Sequence, residues 1–111
     1  MIHDLQSQAW STAEAKGFHE GLQHLPPREA ALVRLALIHT EVSEATQEVK
    51  RHGLANELIR KKIACELADV LIRCADLAET IGVDLEEAVL TVLEYNTKRP
   101  YRYGTPDEAR L

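Results

Sequence analysis

Aromatic residues are scarce in this chain: 111 residues include one Trp, one Phe and three Tyr. The 45% of residues that are apolar are mostly Leu, Ala, Val and Ile, a mix that suits helices packed on helices. Glycine and proline are also few, five and four, and they fall at breaks rather than inside periodic stretches. Positive charge is in deficit, with a formal net charge of -5. That disfavours non-specific nucleic-acid binding, which needs a basic field. It leaves room for a small anionic ligand, because a bound metal or a local basic cluster reverses the sign at one site. There is no run long enough to span a membrane and no apolar N-terminal stretch of the signal-peptide kind, so a soluble, cytoplasmic protein with no membrane partner is expected. Repeats, low-complexity segments, a Walker loop, a dinucleotide fingerprint and a nucleophile elbow are all missing.

Cysteine is nearly absent. Cys65 and Cys74 lie nine residues apart in one helical stretch. Such a spacing rises about 13.5 Å and turns about 180°, which excludes a bridge within the chain. Both are expected to be small buried hydrophobes in a reducing compartment.

What is present is one domain's worth of chain, with enough apolar residues for a core and 28% charged residues. A chain this short buries a modest fraction of its surface alone, which favours self-association. The breaks divide it into four helical blocks. The first starts near Asp4 as N-cap, carries Leu5, Ala9, Ala13 and Trp10 as its apolar stripe, and stops at Gly17. The second covers 28–51, with Leu32, Leu35, Ile38, Val42, Ala45 and Val49 at helical spacing and a basic end before Gly53. The third covers 56–81, from Asn56 as cap to Gly82. It is almost apolar all round between Ile63 and Ala78, except for Glu66, Asp69, Arg73 and Asp76, a pattern of burial on several sides. The fourth opens on the capping box Asp84 to Glu87, turns Leu85, Ala88, Val89 and Val92 inward, and ends around Asn96 before Pro100. The expectation is an all-α fold.

Two acidic pairs carry the chemistry. Glu41 and Glu44 lie in the second block, Glu66 and Asp69 in the third, each at i,i+3 and so on one helix face. The short turn at Gly53 to Ala55 makes these helices an antiparallel hairpin. Glu44 and Glu66 are each eleven positions from Ala55, and Glu41 and Asp69 are each fourteen. Register therefore sets the pairs opposite one another. Four carboxylates at one level are costly without a cation, and an all-oxygen donor set suits Mg²⁺, with Mn²⁺ as substitute. A di-iron bundle would need Glu-x-x-His motifs, which these acids lack. Arg73, four residues beyond Asp69, is expected to pair with it. Glu48, Glu57, Glu79, Glu86, Glu87 and Glu94 read as solvated helix charges. The five histidines show no metal spacing, and Trp10 and Phe18 read as core. The stretch from Tyr95 to Arg102 gathers Lys98, Arg99 and Arg102. It serves either to neutralise a helix C-terminus or to hold phosphates; beside the acids, the second reading is preferred.

Glu41-Val-Ser-Glu44 followed, after 21 intervening residues, by Glu66-Leu-Ala-Asp69 resembles the ExxE…ExxD signature of MazG-type nucleotide pyrophosphohydrolases, in the all-α NTP pyrophosphatase superfamily. The segment from Asn96 to Arg102 is similar to the tail of small stand-alone MazG-like proteins. The resemblance runs from Ala15 through Gly104. It implies a four-to-five-helix bundle over 1–104 followed by a polar tail, 105–111, assembled as a homodimer or homotetramer with sites near subunit contacts. It further implies hydrolysis of (deoxy)nucleoside triphosphates to monophosphate and pyrophosphate. Glu41, Glu44, Glu66 and Asp69 would be the catalytic, Mg²⁺-binding residues, and Asn96, Lys98, Arg99 and Arg102 the substrate-binding ones. Many relatives have a further Glu where this chain has Thr40, which affects metal count and the identity of the general base. The alternatives are a phosphoribosyl-ATP-type substrate, or a nucleotide-binding or helical interaction module without catalysis.

Overall fold

The computed structural model describes residues 1–100; Arg102 and the tail 105–111 lie outside them. Four α-helices follow in chain order: α1 (Ile2–Ala15), α2 (Pro27–His52), α3 (Glu57–Ile81) and α4 (Leu85–Lys98). No strand occurs among the described residues, and none of the helices is long and apolar enough to cross a membrane.

Local chemistry accounts for most of the ends. Pro27 takes the first position of α2, where its missing N–H costs nothing, and Lys50, Arg51 and His52 fill the last turn. Asn56 caps α3 by accepting from the Leu58 N–H at 2.7 Å and the Ile59 N–H at 3.4 Å. Gly82, at φ +76°, closes α3 in the left-handed region, where a Cβ would be strained. Asp84 caps α4 through the Glu87 N–H.

The start of α1 departs from expectation. Asp4 lies in the first turn rather than at the cap. The orphan N–H groups of Ile2 and His3 are taken by Glu86 Oε1, from the first turn of α4, at 3.0 and 3.4 Å. Gln6 completes the joint, donating to the Val83 carbonyl at 2.7 Å and accepting from the Leu85 N–H at 3.1 Å. Two helix N-termini thus share the anions Asp84 and Glu86, which suits both dipoles. Burial pushes the Glu86 carboxyl up, but hydrogen bonding and positive charge from His3 and the Met1 amine prevail and hold it below the ordinary glutamate range. The Glu87 N–H and His3 likewise hold Asp84 low.

Helix α3 is the spine: α1 and α2 pack on it, and α4 packs on α1. Among the described residues the buried apolar ones are all small, Ala9 and Ala13 on α1 and Ala75 and Ala78 on α3, and no large side chain is fully buried. Alanines allow close helix approach but bury little area. Large apolar side chains stand exposed instead, among them Leu67 and Leu71 on α3 and Leu90 and Leu93 on α4. The radius of gyration is 16.5 Å, against about 13 Å for a compact domain of this length.

The stripe expected to bury α2 is the main correction. Leu32, Leu35, Val42 and Val49 are exposed. The face that α2 does cover keeps Ile38 and Ala45 of that stripe but otherwise carries Arg34, Glu41 and Glu48, where Arg34 and Glu41 pair with Asp76 and Arg73 of α3. Cys65 is also exposed rather than buried, while Cys74 is half-buried and its thiol is pushed up by burial. Ala88 is exposed although Leu85, Val89 and Val92 are half-covered.

Candidate metal centre and adjoining cavity

The hairpin of α2 and α3 brings carboxylates from both helices together midway along their length. One oxygen each from Glu41, Glu66 and Asp69 lie within 4.8 Å of one another. Glu41 is buried, Glu66 half-buried and Asp69 exposed, so the cluster opens to solvent on one side. Glu44 is exposed and lies beside Glu66. The register counted from the turn at Ala55 sets these acids at matching heights, and the helices keep that order.

Glu66 sits at the centre of the repulsion. Burial raises its pKa first, and the negative charges of Glu44 and Glu41, each near enough to share a proton with it, raise it further. Its buried Oε2 has no hydrogen-bond partner among the described residues. A buried, unpartnered carboxylate oxygen among like charges is the condition that a hard cation relieves. The donors are carboxylate oxygens alone, the kind a hard divalent cation prefers, and Glu41, Glu66 and Asp69, with Glu44 alongside, are the residues that could hold one.

Arg73 does not pair with Asp69 as its spacing led us to expect. Its Nε donates across the helix pair to Glu41 Oε1 at 2.8 Å. The pair fixes one Glu41 oxygen and partly offsets the acidic charge. Thr40, where many MazG-like chains carry an acid, donates its hydroxyl to the Ala36 carbonyl of its own helix at 3.1 Å.

Lys98 bonds back to Glu94 at 3.0 Å. The Arg99 guanidinium lies 5.7 Å from the centroid of the Tyr95 ring, and Asn96 is exposed. The fourth member, Arg102, falls outside the described residues. Helix α4 packs on α1, not principally on the α2–α3 pair.

Next to the acids is a feature that sequence reading missed. A cavity of about 310 Å³ opens between α1, the α1–α2 connection, α2 and α3. Its walls include Phe18, Leu22, Leu37 and Ile72, it shares Asp69 with the acid cluster, and it is also lined by Arg73, which pairs with Glu41. At this wall a polar chain runs from buried Arg34 out to exposed Glu14: Arg34 Nη1 donates to Asp76 Oδ2 at 2.7 Å, Asp76 Oδ1 meets His19 Nε2 at 2.9 Å, and His19 Nδ1 meets Glu14 Oε2 at 2.6 Å. Trp10 lies over His19, with ring centroids 5.2 Å apart. One signal for this was available. Arg34 precedes Glu41 by seven residues and Asp76 follows Asp69 by seven, so each lies two turns along the same face as its acid.

Compared with protein-family models, curated proteins and solved structures, the chain matches none.

Proposed function

We propose that the chain is a divalent-metal-dependent hydrolase that splits (deoxy)nucleoside triphosphates into the monophosphate and pyrophosphate, in the manner of the MazG-type proteins its motifs resemble. The observation that carries this reading is the convergence of Glu41, Glu66 and Asp69 from two helices, with a buried Glu66 oxygen left unpartnered. Mg²⁺ or Mn²⁺ held there would supply positive charge to the triphosphate and to the developing charge at phosphorus. The remaining work falls to the side chains. Arg73 holds Glu41 in place. Glu44, exposed beside Glu66 and outside the tight group of three, would orient a water and take its proton. The water oxygen bonds to the α-phosphorus, the bond from that phosphorus to the bridging oxygen breaks, and pyrophosphate leaves. Lys98, Arg99 and Arg102 would donate to phosphate oxygens.

The same reading includes a homo-oligomer, either a dimer or a tetramer. The exposed leucines of α2, α3 and α4, the small alanine core among the described residues and the large radius of gyration support it. A second copy of the chain covers those faces and gives α4 a partner. The competing reading, a nucleotide-binding module without chemistry, draws on Thr40 turning its hydroxyl to its own helix where an acid would face the site.

The test is pyrophosphate release from the eight common NTPs and dNTPs, with Mg²⁺ and with EDTA, alongside light scattering for oligomer mass. Release that requires the metal is expected. A folded protein that binds triphosphates but never releases pyrophosphate would establish the module instead, and a monodisperse monomer would remove the oligomer.

A further inference from the structure

Acids gathered at one level of a hairpin hold one cation or two according to what their neighbours offer the second. Among the described residues a single group of three carboxylates, from Glu41, Glu66 and Asp69, closes to within 4.8 Å. Three such oxygens, with waters in the other positions, complete the six-oxygen shell of one small divalent ion. A second ion about 3.5–4 Å away would need donors of its own, and few are to hand. Glu44 is exposed beside Glu66. Thr40 donates its hydroxyl to the Ala36 carbonyl. Glu48, one turn beyond Glu44, faces Lys62 and His52 at 4.0 and 3.9 Å. Glu41 has one oxygen engaged already, since Oε1 accepts from Arg73 Nε at 2.8 Å. The Glu41 side chain is 11% exposed and that of Arg73 41%, so the buried acid has a permanently charged partner that water partly reaches.

We propose that these residues take one divalent cation per chain and that Arg73 is the site's built-in second cation, a positioning residue that offsets one carboxylate charge and holds the ion's affinity down. The proposal rests on the metal reading above. Arg73 and the ion share Glu41, so both draw on the same negative charge and each weakens the other's attraction to it. In the metal-free chain the guanidinium relieves part of the repulsion among the acids. When an ion enters, the two positive charges stand on one carboxylate and repel. An arginine cannot give up its proton to escape that repulsion, so the penalty stays at any pH the fold tolerates.

Calorimetric titration of the full chain with Mn²⁺, without nucleotide, tests both halves. One ion per chain is expected, and electron paramagnetic resonance at two equivalents should show uncoupled Mn²⁺ alone. Arg73→Gln keeps a donor for Glu41 but removes the charge. It should bind Mn²⁺ about tenfold tighter, the size of a unit-charge change near a divalent ion under water-like screening, with the helical circular dichroism unchanged. Arg73→Lys keeps the charge and should stay close to the parent's affinity. If Arg73 served the fold or the hydrogen bond alone, Arg73→Gln would bind the ion no tighter than the parent. Two ions per parent chain, a coupled Mn²⁺ pair, an Arg73→Gln affinity equal to or below the parent's, or an Arg73→Lys affinity raised as far as that of Arg73→Gln would each overturn the proposal. Absence of any Mn²⁺ binding would overturn it together with the metal site. The hydrolase reading is judged separately. Metal-dependent pyrophosphate release by a chain holding two ions would sink this proposal and leave the hydrolase standing. One ion whose affinity follows the charge at Arg73, with no pyrophosphate release, would do the reverse.

Discussion

Truncating Asp76 to alanine tests how much the buried chain from Arg34 to His19 contributes to the fold. Arg34 is nine-tenths buried, and its identified acceptor is Asp76 Oδ2 at 2.7 Å; the Asp76 side chain is 17% exposed. Asp76→Ala leaves that guanidinium in place without its carboxylate and takes one of two partners from His19. Breaking one side of a buried pair costs about 3–5 kcal/mol, and the residual exposure of Asp76 places this case near 3. For a domain of this size that corresponds to a fall in Tm of about 12 °C or more. The double change Arg34→Met with Asp76→Leu replaces the pair by apolar groups of similar volume and should return to within about 1 kcal/mol of the parent. Urea melts would follow Trp10 fluorescence, which reports from beside His19, together with circular dichroism. Protein concentration is held fixed, since association adds to apparent stability. A cost below about 1 kcal/mol for Asp76→Ala, or a double variant as unstable as the sum of the singles, would refute the reasoning.

The proposed metal site and the α1–α4 joint make further predictions. Glu66→Gln should abolish metal-dependent pyrophosphate release and weaken Mg²⁺ binding by calorimetry, yet stabilise the metal-free chain at neutral pH; retained metal affinity would end the assignment. Because the folded pKa of Glu66 is raised, its contribution is intact below the ordinary glutamate range and lost as pH rises through the folded value. Melts of the metal-free protein should show that decline, and added Mg²⁺ or Glu66→Gln should remove it. Asp84 and Glu86 are depressed, so the α1–α4 joint has the opposite sign. Its stabilisation is present above the ordinary carboxylate range and lost as pH falls through the folded values, which hydrogen exchange at the Ile2 and His3 amides should detect. Replacing Lys98, Arg99 and Arg102 together by alanine should weaken triphosphate binding at least tenfold, read by equilibrium dialysis; unchanged affinity would remove the clamp.

The sequence by itself determined the helices and the facing of the acids. Asn56, Gly82 and Asp84 set ends by local hydrogen bonding and backbone freedom, which depend on neighbours a few residues away. Glu41, Glu44, Glu66 and Asp69 could be matched across the hairpin because a short turn fixes register and helical rise does the rest. What lay beyond that reach was decided by tertiary structure. Hydrophobic periodicity marked Leu32, Leu35, Val42 and Val49 as apolar but could not say which apolar face a single chain covers; α3 took the adjoining face because Asp76 and Arg73 pair with Arg34 and Glu41 there. Arg73 chose Glu41 across the gap over Asp69 on its own helix. The N-terminus of α1 is capped by Glu86, 84 positions from Ile2, and no local pattern announces such a partner. The cavity and the Arg34–Asp76–His19 chain arise only when α1, α2 and α3 close around His19, since burial and long-range pairing are properties of the packed chain and not of any segment read alone.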